Sequence, residues 1–388
     1  MPFYVKQGKI PPKRHTVFKS PEGNLYYEEL MGRSGFSGNS TNMYHLRMPT
    51  RVSRVGAFTA ITAQAAQAEH RHRHIKTFEA KSSGDALSAR RLMLFNSDVL
   101  IHACHADADM KDFYRNGHYD ELYYVQKGGG TLECQLGVLE MREGDYVVVP
   151  RGIIFRITLK GPSRMLVVES SSPYFPPARY RSRSGQFLEH SPFCERDIRT
   201  PELGAPNKET GSFTVRSRID RGIQDYVYDA HPFDVVGWDG FHYPWAFNIN
   251  DFEPIVGSIH QPPPVHQTLE TAGFVVCSFV SRPFDFHPNA IPAPYPHSNV
   301  DSDEVLFYSM GHFMSRRGIS EESMTLHPMG LAHGPHPGRY EGSIGKKATE
   351  ELAVMIDTFK PLSVSAEAAA LDDPKYPLSW IDSGKDDL

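Results

Sequence analysis

The 388-residue chain has few cysteines, no long apolar run and no strong excess of charge of either sign. Its four cysteines lie far apart and none forms a C-x-x-C pair, so we expect reduced thiols in a cytosolic protein. No apolar stretch approaches the roughly 18 residues of a membrane-spanning helix, and residues 1–15 contain no apolar signal-peptide core. We therefore predict a cytoplasmic protein without a membrane segment.

Nucleic-acid binding is not indicated either. The formal net charge is −5, and the basic run RYRSRS (179–184) stands alone, which favours a solvated or inter-subunit face over a polyanion site. The sequence also lacks a glycine-rich phosphate loop, a G-x-S-x-G nucleophile elbow and a Cys/His dyad. A small molecule is therefore the expected partner.

Long helical patterns are scarce, whereas the chain has 31 glycines, 30 prolines and 11% aromatic residues. Short runs bounded by turn residues, such as NLYYEEL (24–30), predict strands. The last helical candidate is KKATEELAVMI (346–356). The composition therefore predicts an all-β fold of many short strands joined by turns.

The stretch from His297 to His333 combines two imidazoles and a carboxylate at ordered spacings. Glu304 follows His297 by seven residues, and His333 ends the turn-rich sequence PMGLAH (328–333). Two histidines and a carboxylate on one side of a metal leave positions open for substrate and O₂, as in non-haem Fe(II) centres. The alternative is a set of surface histidines, since the chain has 19. The glycines and proline at the turn positions favour the metal site.

A similar pattern occurs earlier, over residues 116–157. Glu121 precedes Gly128 by seven residues, as Glu304 precedes a later glycine, so one β motif is predicted to be used twice. Asn116 and Phe155 stand where the second stretch has histidines. We therefore expect the first copy to be structural, and a second metal site is the less favoured alternative.

Two β halves follow from this repeat. We predict an N-terminal β domain over residues 1–171, a connector over 172–225 and a C-terminal catalytic domain over 226–388. The connector is rich in Pro, Ser and Arg, which is typical of a long surface loop or an oligomer contact.

The run HRHRH (70–74) is a further candidate for metal binding. On a strand its three histidines would share one face and could bind zinc, but no cysteine or carboxylate partner follows at a useful spacing. We expect this run to form a solvent or subunit face.

Several segments resemble a known family. PHSNVDSDEVLFYSMG (296–311) and HPMGLAHGPHPG (327–338) are similar to the two signature segments of the cupin superfamily. YYEELMGRSGFSG (26–38) and IHQPPPVHQT (259–268) resemble the homogentisate 1,2-dioxygenase family in its short bacterial form. The resemblance implies two jelly-roll halves with long connecting loops, Fe(II) as the cofactor and a trimer-based homo-oligomer.

The resemblance also implies roles for individual residues. His297, Glu304 and His333 would be the Fe(II) ligands. His260 would handle the proton of the substrate hydroxyl, and His327 would contact the substrate or support the ligands as a second catalytic histidine. From the residues alone, His260 is equally well a turn histidine beside three prolines, and His327 a packed core histidine.

Other positions leave choices open. Asp303 is a rival of Glu304, which we prefer because its spacing to the next glycine matches both the family and the first copy. Arg316 and Arg317 are candidates to bind a substrate carboxylate by a charge-assisted pair, although most adjacent arginines are merely exposed. Tyr295 is predicted either to line the substrate pocket or to belong to the core.

The sequence therefore predicts an Fe(II)-dependent dioxygenase that opens homogentisate with O₂ to maleylacetoacetate, a step of tyrosine and phenylalanine degradation. One alternative is a related ring-cleaving cupin that acts on gentisate or a substituted hydroquinone. Another is a non-enzymatic bicupin that binds a ligand. Metal content would separate the enzymes from the binding protein.

Overall fold

The structure is a computed structural model that describes residues 2–66, 69–311, 313 and 315–381. The first strands are β1 (Val5–Gly8), β2 (Tyr27–Gly32), β3 (Ser40–His45), β4 (Val52–Ala60), β5 (Arg73–Ile75), β6 (Arg90–Phe95), β7 (Val99–Ala106), β8 (Phe113–Asn116) and β9 (Asp120–Lys127). They continue as β10 (Gly129–Cys134), β11 (Gly137–Arg142), β12 (Asp145–Val149), β13 (Phe155–Leu159), β14 (Ser163–Ser170), β15 (Ile198–Arg199), β16 (Thr210–Ile219), β17 (Gly222–Ala230) and β18 (Val235–Gly240). The last are β19 (Trp245–Asn248), β20 (Gln267–Glu270), β21 (Phe274–Phe279), β22 (Arg282–Pro283), β23 (Asp303–Gly311), β24 (Ser323–His327), β25 (Ala348–Thr349), β26 (Glu351–Thr358) and β27 (Ser363–Val364).

Helical structure is limited to short segments in the described residues. The α-helix is α1 (Ala366–Leu371), whose N-terminus is capped by the Ser365 hydroxyl, which accepts from the Ala368 N–H. Single 3₁₀ turns lie at Ser34–Phe36, Thr77–Glu79, Ala178–Tyr180, Glu195–Asp197, Ile249–Asp251, Pro263–His266, Glu341–Ser343 and Tyr376–Leu378. The prediction of an all-β fold is therefore confirmed.

The predicted helix over 346–356 is wrong, because this segment forms β25 and β26. Strand β26 is central in its sheet, between β21 and β23, and most of its side chains are buried. A strand covered on both faces carries a nearly continuous apolar run, here LAVMI, which periodicity alone cannot distinguish from a buried helix.

The strands form four sizeable sheets and one two-stranded ribbon, β22–β25. In order of neighbouring strands, the sheets are β1-β18-β3-β2, β11-β10-β13-β8-β16-β17-β4, β15-β19-β12-β9-β14-β7-β6-β27 and β20-β21-β26-β23-β24-β5. Most pairs are antiparallel, whereas β8 and β16 run parallel.

The eight-stranded sheet is the middle of three layers. On β9, Tyr123 meets Phe155 of the seven-stranded sheet edge to face, with ring centroids 6.3 Å apart. The next residue, Tyr124, points the other way: its hydroxyl donates to Ser309 Oγ at 2.7 Å and its ring contacts Phe307, both in the six-stranded sheet. Since side chains alternate between the faces of a strand, both tyrosines are buried, in different layers.

Strand pairing crosses the predicted domain boundaries. Strand β16 lies within the predicted connector 172–225 and pairs with β8 and β17. Strands β18 and β19 lie beyond residue 226, yet they pair with β1, β3 and β12 of the N-terminal region. The last part of the connector is therefore a paired strand instead of a surface loop.

Strand β5 crosses in the opposite direction. It pairs antiparallel with β24 and becomes an edge of the six-stranded sheet, with His74 opposite Thr325. His74 is buried and its Nε2 lies 2.9 Å from Ser323 Oγ. The expectation that the HRHRH run forms a solvent face is therefore wrong for this part of it, and only His70 of the three histidines is exposed.

None of the helices in the described part of the chain is long and apolar enough to cross a membrane.

Candidate metal centre

Strand β23 supplies the carboxylate of the candidate metal centre. Its odd-numbered residues Val305 and Phe307 are buried in the main hydrophobic core, whereas Glu304, Leu306 and Tyr308 line a cavity on the opposite face of the sheet. The alternation of a strand therefore places Glu304 on the cavity side.

The rival carboxylate Asp303 points away from the cavity. Its Oδ1 accepts from the Met329 N–H at 2.8 Å and its Oδ2 accepts from the Leu362 N–H at 2.7 Å. These bonds join two loops to β23, so Asp303 has a structural role.

Backbone pairing brings the two histidines His297 and His333 together. Each donates its N–H to the other's carbonyl at 2.8 Å, and they form an isolated antiparallel bridge. His297 Nδ1 lies 3.3 Å from the Tyr295 carbonyl, and His333 Nδ1 lies 3.1 Å from the Leu331 carbonyl. Since a carbonyl only accepts, both Nδ1 atoms carry the proton and both Nε2 lone pairs are available for a metal.

The three side chains converge on one point. His297 Nε2 is 3.6 Å and His333 Nε2 is 3.4 Å from the Glu304 carboxylate, and one ligand atom from each residue lies within 4.8 Å of the others. His333 Nε2 is buried and has no hydrogen-bond partner among the described residues. A buried nitrogen without a hydrogen bond is energetically unfavourable, and a bound metal ion would supply the missing partner. The residues therefore fit a divalent metal held by two histidines and one carboxylate.

The electrostatics also suit a cation. Burial opposes the charge of Glu304, but the interactions with the imidazoles of His297, His327 and His333 outweigh it and hold the pKa of this carboxyl well below its usual range. Nearby, burial and the Glu304 charge together raise the pKa of Asp357 to about 8. A bound cation would relieve this repulsion between the two carboxylates.

His327 lies behind Glu304 instead of in the cavity. It is fully buried, and its Nδ1 is 2.7 Å from Glu304 Oε1. Burial lowers the pKa of His327 to about 3, so the ring is neutral and donates through Nδ1. Its other nitrogen lies 3.2 Å from the Tyr376 hydroxyl. His327 therefore holds Glu304 by a hydrogen bond and is not part of the cavity wall.

A cavity of about 220 Å³ opens beside His297 and Glu304, two of the three candidate metal ligands. Its walls are mostly apolar, with Phe279, Leu306 and several prolines, which is typical of a small-molecule site. Of the predicted site residues, the cavity is lined by His260, Tyr295, His297, Glu304 and Arg316.

His260 and Tyr295 stand together in this cavity. Their rings lie 5.2 Å apart at 74°, and Tyr295 in turn meets the His297 ring at 6.3 Å. Asp285 Oδ2 lies 3.7 Å from His260 Nδ1, on the cavity wall. His260 thus has a carboxylate on one side and the metal ligands beyond Tyr295.

The two candidate arginines differ in place. Arg316 is buried, its Nη1 donates to the Gly334 carbonyl and its guanidinium lies 5.8 Å from the Trp380 ring centre. Its buried Nε has no hydrogen-bond partner among the described residues. Arg317 is exposed and is not part of the cavity wall described above.

Sequence reasoning missed several residues of the site. Asp285 and Asp357 line the cavity, and Tyr376 supports His327 from behind. His72, in the HRHRH run, lies with its ring 5.7 Å from that of His327 and 6.2 Å from that of His333. Histidine spacing in that run was the available signal, but it does not show which distant strand the run joins.

In the first copy of the motif, the carboxylate Glu121 is paired with an arginine. Glu121 on β9 is fully buried, and Arg90 Nη1 and Nη2 donate to its two oxygens at 2.9 and 3.0 Å. Asn116 and Tyr123 donate to the same carboxylate at 2.9 and 2.5 Å. The guanidinium therefore neutralises Glu121 from within the N-terminal half.

Comparisons with known proteins relate the chain to dioxygenases. A family model described as homogentisate 1,2-dioxygenase N-terminal matches residues 83–249. A Saccharolobus solfataricus protein named "Putative dioxygenase" is 41% identical over 387 residues, covering 99% of this chain and 100% of that protein. Homogentisate 1,2-dioxygenase of Bradyrhizobium diazoefficiens is 28% identical over 272 residues, 66% of this chain and 59% of its own length.

Among solved structures, a cupin 2 conserved barrel domain protein from Leptotrichia buccalis covers 78% of this chain and 100% of its own, with 9% identity and a TM-score of 0.33. Because the Saccharolobus relative matches along its whole length at 41% identity, the relationship extends over both halves. The chain therefore belongs to the same protein family as the "Putative dioxygenase" of Saccharolobus solfataricus.

Proposed function

We propose that the protein is an Fe(II)-dependent dioxygenase that cleaves the ring of homogentisate with O₂ to give maleylacetoacetate. The observation that carries this proposal is the convergence of His297, Glu304 and His333 at the side of a mostly apolar cavity. The full-length match to a relative named as a dioxygenase supports the reaction type. The names of the lower-identity relatives support the substrate.

Iron suits this site because it combines open coordination positions with redox activity, so that a phenolic hydroxyl and O₂ can be activated side by side. The ligand set would be His297, Glu304 and His333. Glu304 contributes one negative charge, so a bound Fe(II) would keep a net positive charge that favours loss of the proton from the substrate hydroxyl.

His260 is proposed to accept that hydroxyl proton. It lines the cavity on the same side as Tyr295, and its Nδ1 faces Asp285 at 3.7 Å. A carboxylate in this position can hold one ring nitrogen protonated and stabilise the imidazolium that forms when the other accepts a proton. Tyr295 would pack beside the aromatic ring of the substrate, between His260 and His297.

Arg316 is proposed to bind the acetate arm of the substrate. Its buried guanidinium lines the cavity, and its Nε is left without a partner by the described residues. A carboxylate placed there would form a charge-assisted hydrogen bond. Arg317 is exposed, so we no longer assign it this role.

A second candidate substrate is a hydroxylated ring without a free acetate arm, such as a substituted hydroquinone, or the related acid gentisate. Besides Glu304, the cavity carries Asp285, Glu351 and Asp357, and Arg282 lies 3.6 Å from Glu351. This local excess of carboxylates favours a neutral ring such as a substituted hydroquinone over homogentisate and gentisate, which are both anions. The comparison of substrates below therefore decides between the candidates.

The wider setting of the proposal is a cytoplasmic enzyme of tyrosine and phenylalanine degradation that assembles as a trimer-based homo-oligomer. The pathway and the assembly come from the family resemblance, whereas the cytoplasmic location comes from the four widely spaced cysteines. Size-exclusion chromatography with light scattering tests the assembly.

The proposal is tested by O₂ uptake after anaerobic reconstitution with Fe(II). Homogentisate, gentisate and hydroquinone are compared, with His333→Ala as the metal-site control. Uptake with homogentisate that the control abolishes, together with maleylacetoacetate as the product, supports the proposal. O₂ uptake with gentisate or hydroquinone but not with homogentisate would show that the proposed substrate is wrong. No O₂ uptake with any of the three compounds, despite bound iron, would favour a ligand-binding protein.

A further inference from the structure

The C-terminal segment of the chain packs against the back of the metal centre. Asp372, which follows α1, accepts from Arg71 Nη2 at 2.7 Å and also from Arg73 Nη1. The Asp373 N–H donates to the His74 carbonyl at 2.8 Å. Because Arg73 and His74 belong to β5, these bonds fix the segment to the edge of the six-stranded sheet that holds Glu304.

The segment then places Tyr376 beside His327. Tyr376 is 4% exposed, and its ring stacks on that of His327 with centroids 6.4 Å apart at 19°. Its hydroxyl lies 3.2 Å from His327 Nε2. Trp380 closes the same side, at 5.2 Å from the Tyr376 ring.

The directions of these hydrogen bonds follow from the groups themselves. The Glu304 carboxylate can only accept, so His327 donates to it through Nδ1–H at 2.7 Å. A neutral imidazole carries a single N–H, so the remaining ring nitrogen, Nε2, is an acceptor, and it lies 3.2 Å from the Tyr376 hydroxyl. His327 Nε2 therefore accepts, and the Tyr376 hydroxyl donates to it.

We propose that Tyr376 is a positioning residue of the metal centre that acts through His327 on the ligand Glu304. Its hydroxyl fixes the tautomer of His327, and the ring then holds Glu304 Oε1 in place for the metal. The inference rests on the metal binding contained in the proposed function, but not on the identity of the substrate. The C-terminal segment then contributes to the metal centre through Tyr376.

The test variant is Tyr376→Phe, which keeps the ring and removes only the hydroxyl. Metal affinity is measured in the full-length protein by chelator competition, with Co(II) as the probe and its visible absorption bands as a report on the ligand field. Removal of a residue that supports a metal ligand typically lowers affinity about 10- to 100-fold, which we expect here together with altered Co(II) bands.

The matched control is Tyr174→Phe. Tyr174 is also fully buried, and its hydroxyl donates to the Val168 carbonyl at 2.9 Å in another part of the fold. This variant should bind Co(II) as the wild type does. Similar thermal unfolding of both apo variants would show that the loss of affinity does not come from general instability.

A double-mutant cycle with His327→Leu tests the route of the effect. If Tyr376 acts through His327, adding Tyr376→Phe to His327→Leu changes affinity little further. If the losses of Co(II) affinity in the two single variants add up in the double variant, the inference is wrong. It is also wrong if Tyr376→Phe keeps the wild-type affinity and the wild-type Co(II) bands. Neither result contradicts the proposed function. The wild type must bind Co(II), and His333→Ala must abolish this binding. If it does not, the metal site of the proposed function is wrong, and the inference about Tyr376 is wrong with it.

Discussion

His297 and His333 are joined by two backbone hydrogen bonds of 2.8 Å, each N–H donating to the other's carbonyl. This backbone pairing places the two imidazoles side by side, with their ring centroids 4.4 Å apart. A site assembled in advance spends little binding energy on ordering its ligands, which favours tight metal binding.

The first prediction concerns metal binding and stability. Fe(II) or Co(II) at 100 times its dissociation constant should raise the free energy of unfolding by about 2.7 kcal/mol, because it binds only the folded state. His333→Ala should abolish the resulting rise in melting temperature. His118→Ala, an exposed histidine of the first motif copy, is the control and should keep it. An equal rise in both variants would place the metal elsewhere.

The second prediction concerns the internal arginine of the N-terminal half. Arg90→Met leaves Glu121 and Glu169 buried without the guanidinium that contacts both at 2.9 to 3.0 Å. Removing one partner of a buried ion pair costs about 3–5 kcal/mol of stability. The measurement is chemical or thermal unfolding.

The neighbouring residue offers a matched control for Arg90. Arg91→Met removes an arginine from the same strand whose side chain is 30% exposed and whose partner Glu367 lies at 3.4 Å. Such a partly exposed pair contributes about 0–1 kcal/mol. Equal losses in the two variants would contradict a special role for Arg90.

The third prediction concerns proton transfer. His260→Gln should lower kcat about 10²- to 10⁴-fold at unchanged metal content, the usual contribution of a general base. Asp285→Asn, which weakens the contact at 3.7 Å, should cause a smaller loss. His287→Gln is the control, because this exposed histidine is not part of the described cavity wall. If His260→Gln keeps full activity, His260 is a structural residue of its turn and not a general base.

The fourth prediction concerns recognition of the substrate carboxylate. A hydrogen bond to a charged group is worth about 1.5–3 kcal/mol, so Arg316→Gln should raise KM for homogentisate about 10- to 100-fold. KM for hydroquinone, which has no carboxylate, should change far less. Arg317→Gln should alter neither. A parallel loss with both substrates would show that Arg316 only supports the fold.

The fifth prediction concerns the pH dependence of stability through His45, far from the metal centre. Burial opposes its charge, but hydrogen bonds to Asp234 at 2.7 Å and to Glu29 raise its pKa to about 9. The unfolded pKa is about 6.5, so the contribution is complete below that pH and is lost as pH rises through about 9. The upper limit is about 3 kcal/mol.

The measurement for His45 is the difference in melting temperature between the wild type and His45→Gln, followed from pH 6 to pH 10. The difference should shrink as pH rises. The exposed His118→Gln should show no such trend, and a difference for His45→Gln that stays constant with pH would contradict the assignment.

Local sequence patterns were sufficient for part of this site. The spacing of His297, Glu304 and His333 predicted three side chains that the structure brings within 4.8 Å of one another. The preference for Glu304 over Asp303 rested on its spacing to the next glycine, and the two side chains do lie on opposite sides of the strand.

Other parts depend on long-range pairing and lay beyond the sequence alone. Asp285 and Tyr376 carry no motif, and only the fold brings them to His260 and His327. His72 lies in a recognisable run, but its place beside the ligands depends on the joining of β5 to β24. The helix predicted over residues 346–356 was wrong because local composition does not show tertiary burial. The segment has a helical composition but forms a strand that is buried on both faces.

The pairing of β5 with β24 has a consequence for synthesis of the protein on the ribosome. His74 and its partner Ser323 are 249 residues apart, so at about 5–20 residues per second β5 emerges roughly 10–50 s before its neighbour exists. The catalytic sheet can therefore be completed only near the end of translation. A fragment of residues 226–388 would lack this strand and would expose an unpaired sheet edge, which favours aggregation over an independent barrel.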